Sequence, residues 1–80
     1  MRVWIEGSAV PWARETPLYG LKHEEPGEGG SVFVFRTLDM RRLLPWVLSW
    51  GTSARVLAPA EVADRVRTEV EALARRYAEG

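Results

Sequence analysis

The sequence predicts an α+β fold: βαββαβ with a four-stranded antiparallel sheet and one added C-terminal helix. Three observations carry this expectation. Short β-rich runs recur at residues 2–6, 32–37 and 54–57. Between and after them lie apolar residues at helical spacing, most regularly over residues 62–77. A cluster of turn-formers at residues 25–31 marks a hairpin in the middle of the chain.

The first element is RVWIE (2–6), whose alternation places Val3 and Ile5 on one face and Arg2, Trp4 and Glu6 on the other. A short helix over AVPWARET follows, with Ser8 as its expected N-cap. Pro11 falls in its first turn, where a missing N–H costs nothing, and Pro17 is expected to stop it. LYGLKHE (18–24) is a weaker strand, and EPGEGGS (25–31) reads as the hairpin loop. VFVFRT (32–37) is β-branched and aromatic, the strongest strand in the chain.

Thr37 or Asp39 then caps a helix ending at Trp50, with Gly51 as a left-handed terminator. Leu43, Val47 and Trp50 form its apolar stripe. Pro45 sits too deep for a first-turn proline, so the helix either kinks there or becomes regular only near Leu43. ARVL (54–57) is a short strand. Pro59 opens the last helix, with Glu61 in the first turn and Val62, Val66, Val70, Leu73 and Tyr77 on one face.

Two βαβ crossovers around a central hairpin make the ferredoxin-like pattern. Right-handed crossovers put both inner helices on the same flank of the sheet. The other flank then carries Trp4, Val32, Val34 and Arg36, since Arg36 is hard to bury, while Phe33 and Phe35 join Val3 and Ile5 in the core. Trp4, Val32 and Val34 are therefore the candidate interface residues, since an uncovered apolar sheet face invites a partner.

Composition bounds the function. Eighty residues make one domain, 1–80, with one core. A chain of this size buries only about 60–65% of its unfolded surface, so modest stability is expected. A hydrophobic share of 46% with 28% charged residues suits a folded protein rather than a disordered one. The absence of cysteine removes disulfides, thiolate metal sites and thiol nucleophiles. No apolar run approaches the roughly 18 residues of a membrane span. MRVWIEGS lacks the apolar stretch of a secretory leader, so a cytoplasmic location is expected. A net charge of zero argues against nonspecific nucleic-acid binding, which needs an excess of basic groups.

Chemistry-bearing residues are sparse. His23 is the single histidine and has no sequence-evident metal or acid-base partners. GEGGS precedes a strand rather than a helix, so a turn is favoured over a phosphate cradle. Ser8 and Ser49 have no evident base. Trp46 and Trp50, four apart, read as helix packing, with Trp12 expected beside them. Arg41 and Arg42 stand at a helix start, where positive charge opposes the dipole, and with Arg36 they are the candidate anion or ligand contacts. No catalytic constellation, metal site or cofactor motif is visible.

The segment LLPWVLSWGTSARVLAPAEVADRVRTEVEALARRY resembles the C-terminal extension, WCX, of bacterial WYL-domain transcription regulators. The features that carry the resemblance are the apolar helix from Trp46 to Gly51, the strand from Arg55 to Pro59, and the helix from Val62 to Tyr77. RVWIEGSAVPWARE and GGSVFVFRT resemble the family's first strand-helix and its hairpin. The resemblance implies a ferredoxin-like fold and a role in effector sensing or subunit assembly, without catalysis. It implies a homodimer or a WYL-type partner chain and no direct operator binding, since no DNA-binding helix-turn-helix is evident in the sequence; a small anionic or nucleotide effector is the expectation that the arginines carry. The alternative is a free-standing small-molecule or nucleotide-binding domain using Arg36, Arg41 and Arg42.

Overall fold

Alternation in RVWIE builds the strand on which the rest of the sheet is assembled. In the computed structural model, which describes residues 1–16, 18, 20–36 and 39–79, this strand is β1 (Arg2–Glu6). It is followed by α1 (Val10–Glu15), β2 (Leu21–Gly27), β3 (Gly30–Phe35), α2 (Met40–Ser49), β4 (Ala54–Ala58) and α3 (Ala60–Ala78). The sheet order is β2-β3-β1-β4, with every neighbouring pair antiparallel. This is the expected ferredoxin-like arrangement with a helix added at the end.

The register sorts the side chains. Val3 pairs with Phe33 and Val56, so three apolar side chains stand in one row across β3, β1 and β4. Val3, Ile5, Phe33 and Phe35 are almost completely buried. Ala9, Val10 and Ala13 from the α1 region, Val47 from α2 and Val62 from α3 belong to the same core. All three helices therefore press on one flank of the sheet.

The hairpin is tighter than the sequence suggests. β2 continues through Glu25, Pro26 and Gly27, and β3 begins at Gly30, leaving only Glu28 and Gly29 as the turn. Pro26 is compatible with a strand because β2 lies at the sheet edge, where one side of the backbone needs no partner. Gly29 has a φ of 74°, and its carbonyl accepts from Gly7 N–H at 2.8 Å, tying the hairpin to the end of β1. At Gly30 the backbone approaches so closely that a Cβ would lie 1.9 Å from the Ile5 carbonyl oxygen.

Other local expectations were modified. The chain leaves β1 through a 3-10 turn at Gly7–Ala9, and Ala9 rather than Ser8 occupies the N-cap of α1. The Ser8 hydroxyl instead donates to the Glu6 carboxylate at 3.0 Å, because the 3-10 turn leaves it one residue before the capping position. Pro11 does fall at the helix start. Asp39 caps α2, its side chain accepting from Arg41 N–H. The helix then runs unbroken through Pro45 to Ser49. Pro45 lacks the N–H that would bond the Arg41 carbonyl, and both residues are on the exposed side, where water can serve that oxygen. Gly51, with φ 60°, ends the helix as expected. The roles expected of Pro17 and Thr37, and Tyr19 in the second strand, lie outside the described residues.

The two glycines provide a comparison. Gly51→Ala meets no atom within 4 Å and carries only the left-handed backbone penalty, about 1–2 kcal/mol. Gly30→Ala must displace backbone, so it is expected to cost more, roughly 3 kcal/mol or above. Urea denaturation of both variants checks the order; equal losses would contradict the close approach at Gly30.

Candidate functional site

The flank of the sheet opposite the helices carries the residues singled out as interface candidates. Trp4 pairs with Val32, and Arg2 with Val34, so all four project from the side opposite Val3 and Ile5. Among the described residues, no helix packs on this flank. Trp4 and Val34 are half-buried, and Leu57 on β4 is 47% exposed.

Val32 behaves differently from the other two. It is already buried within the single chain. The Trp4 indole lies over Gly27, where an added Cβ would meet both Trp4 and Val32 at 3.1–3.3 Å. The indole N–H donates to the Glu28 carbonyl at 2.9 Å, fixing the ring against the hairpin. Val32 thus supports Trp4 and has little surface left for a partner, while Trp4, Val34 and Leu57 keep theirs. Trp4, Gly27, Glu28, Val32, Arg55 and Leu57 frame a shallow hollow of about 370 Å³.

Charged groups edge this flank. Arg2 donates to both Glu25 oxygens, and His23 Nε2 lies 2.8 Å from Glu25 Oε2. The hydrogen bond from Arg2, then that with His23, holds the Glu25 carboxyl down to about 2. On the other flank Arg14 of α1 forms a bidentate pair with Glu24, whose pKa it lowers. These pairs anchor β2 to its neighbours. His23 is thereby a surface partner of Glu25. Among the described residues no group of three or more His, Cys, Asp or Glu is arranged to hold a metal ion.

The candidate anion contacts are dispersed. Arg36 lies just beyond β3 and lines a hollow with Met1, Arg2, Ala58 and Pro59, to which neither Arg41 nor Arg42 contributes. Arg41 and Arg42 approach the Asp39 carboxylate at 3.6 and 3.8 Å. The same aspartate that caps α2 thus offsets the two positive charges at its start. The tryptophans of α2 are packing residues. Trp46 meets Phe35 and Trp50 edge-on at 5.2 and 5.8 Å, and its N–H donates to the Thr16 carbonyl. Trp12 does not join them; it is 65% exposed, because α1 turns Val10 and Ala13 inward instead.

A second uncovered surface was not singled out from the sequence. Val62 is buried and Val66 half-buried, but Val70 is 47%, Leu73 50% and Tyr77 81% exposed. The cause is length. Nineteen residues of α3 extend about 28 Å, whereas the five-residue β4 spans only about 17 Å. The distal half therefore passes beyond the sheet, and the molecule is 39 Å long by 25 by 20 Å. The comparison of lengths was available in the sequence; periodicity alone shows an apolar stripe and not what covers it.

The described residues thus form a small sheet with helices on one flank and two uncovered apolar surfaces. The chain matches the family model of the WCX domain over residues 1–74, and it belongs to that family, the C-terminal extension of WYL regulators, which is non-catalytic. No curated protein and no solved structure matches it. Among the described residues no helix is long and apolar enough to cross a membrane.

The Arg2–Glu25 contact has a pH signature. Folding lowers the Glu25 pKa, so its contribution is complete above the ordinary value of 4.5 and disappears as pH falls towards about 2. Arg2→Ala is expected to move the carboxyl titration upward, towards the ordinary range, and to flatten the loss of stability across that interval. NMR titration of the Glu25 side-chain carbon checks this; an unchanged midpoint would contradict the pairing.

Proposed function

We propose that this chain is a non-catalytic assembly and effector-response module of a WYL-type transcription regulator, acting in the cytoplasm through contacts with a second copy or with a WYL-type chain. The observation that carries the reading is the bare sheet flank with Trp4, Val34 and Leu57. Burying a side chain such as Val34 or Leu57 contributes about 1.5–3 kcal/mol, enough for a few such residues to decide association. Family membership supports the same reading, since WCX domains are parts of regulators. An effector would act by favouring one packing of this surface over another, which requires that it bind the two packings with different affinity.

Enzymatic activity is not part of the proposal. Catalysis needs a nucleophile or acid-base pair positioned for a substrate. His23, Glu24, Glu25, Asp39, Arg41 and Arg42 are engaged in capping and surface ion pairs.

Val34→Asp places a charge on the bare flank without entering the core. It is expected to weaken association with a second copy, or with a separately expressed WYL-type domain, by tenfold or more, with little change in melting temperature. Sedimentation equilibrium and titration calorimetry check the two partners. A chain that stays monomeric at millimolar concentration and binds no WYL-type domain would overturn the reading.

A further inference from the structure

The distal half of α3 specifies its own partner. Val66, Val70, Leu73 and Tyr77 are spaced by four, three and four residues, an average of about 3.7 that keeps one seam on a single side of the helix. Three of the four are among the most exposed large hydrophobic residues of the chain. We propose that two copies pair antiparallel through this seam, with Val70 of each opposite Leu73 of the other. The proposal rests on the assembly reading and assigns the self-contact to α3, leaving the bare sheet flank for a different chain.

Three observations on this chain favour a second copy as the occupant. The first is charge. With Val70 and Tyr77 as the a positions and Leu73 as d, Glu69 and Arg76 both fall at g, while Arg67 and Ala74 fall at e. In an antiparallel pair g meets g, so Glu69 of each copy faces Arg76 of the other, and two-fold symmetry makes the pair twice. A parallel pair would set Glu69 against Ala74 and gain nothing. Among the described residues no ion pair within the chain engages Glu69 or Arg76.

The second is shape. The register that opposes Val70 to Leu73 brings Tyr77 of the second copy opposite Val66. Val66 lines a hollow of about 480 Å³ between α3 and β4, together with Val47, Val56 and Ala63. The most exposed large side chain of the seam is thus delivered to a place where the body recedes. An aromatic ring fills such a hollow, and its hydroxyl remains at the rim beside Asp64 and Arg67. The third is net charge. At zero, the chain presents no overall repulsion to its own copy.

Sedimentation equilibrium of the whole chain and of four variants tests the pairing. Glu69→Arg and Arg76→Glu are each expected to raise the dimer dissociation constant roughly tenfold, and the double variant to return it to within about twofold of the starting value. Tyr77→Ala is expected to raise it roughly tenfold, and Leu73→Asp to give monomer throughout. Leu73, Arg76 and Tyr77 are exposed and Glu69 is half-exposed, outside the buried core, so circular dichroism melts should shift little, which separates lost pairing from lost folding. A monomeric starting chain, a dimer indifferent to Leu73→Asp, or no recovery in the double variant overturns the pairing. A dimer abolished by Val34→Asp but untouched by the α3 variants overturns it while leaving the assembly reading intact. A monomeric chain that also ignores WYL-type domains defeats both.

Discussion

Everything in this molecule depends on one asymmetric contact: three helices pressed on the same flank of a four-stranded sheet. Val3, Ile5, Phe33 and Phe35 face Ala13, Val47 and Val62, and that single cluster contains most of the buried apolar residues. The crossover rule forces the asymmetry, because both βαβ connections turn the same way. α3 follows them to that side, since Pro59 alone separates β4 from α3 and Val62 is the first α3 residue to reach the core. Among the described residues no further element covers the opposite flank. What the fold leaves uncovered is therefore a consequence of how it is stabilised.

The two uncovered surfaces differ in kind. The sheet flank is mixed: Trp4, Val34 and Leu57 lie among Arg2, Glu25, His23 and Arg55, and Trp4 is tethered to the hairpin. Such a surface suits a polar-rimmed contact that can be remade. The distal part of α3 is a narrow apolar seam between charged rows, suited to another helix. One chain thus presents two unlike apolar surfaces.

Local signals in the sequence were legible where the physics is local. Alternation fixed the inward side of β1 and β3, Asp39 and Gly51 mark the two ends of α2, and spacing revealed the face of α3. The failures involve tertiary placement. Pro26 reads as loop until β2 is known to be an edge strand. Ser8 reads as a cap until a 3-10 turn intervenes. Trp12 reads as core, yet α1 is so short that it has only one inward side, taken by Val10 and Ala13. For the candidate site, alternation with the crossover rule located Trp4, Val32 and Val34 on one flank. It could not reveal that Trp4 folds down over Val32, because that depends on Gly27 in a neighbouring strand. Arg36, Arg41 and Arg42 are close in sequence, but Asp39 draws the latter two to itself.

The central claim is that one flank is sealed and the other is open in a lone chain. The most direct measurement is attenuation of methyl signals by a neutral soluble paramagnetic agent, at protein concentrations low enough to keep the chain monomeric. The account predicts that the methyls of Val3 and Ile5 are untouched, those of Val32 and Val56 weakly affected, and those of Val34 and Leu57 strongly attenuated. Equal protection of Val34 and Ile5 in the monomer would contradict it.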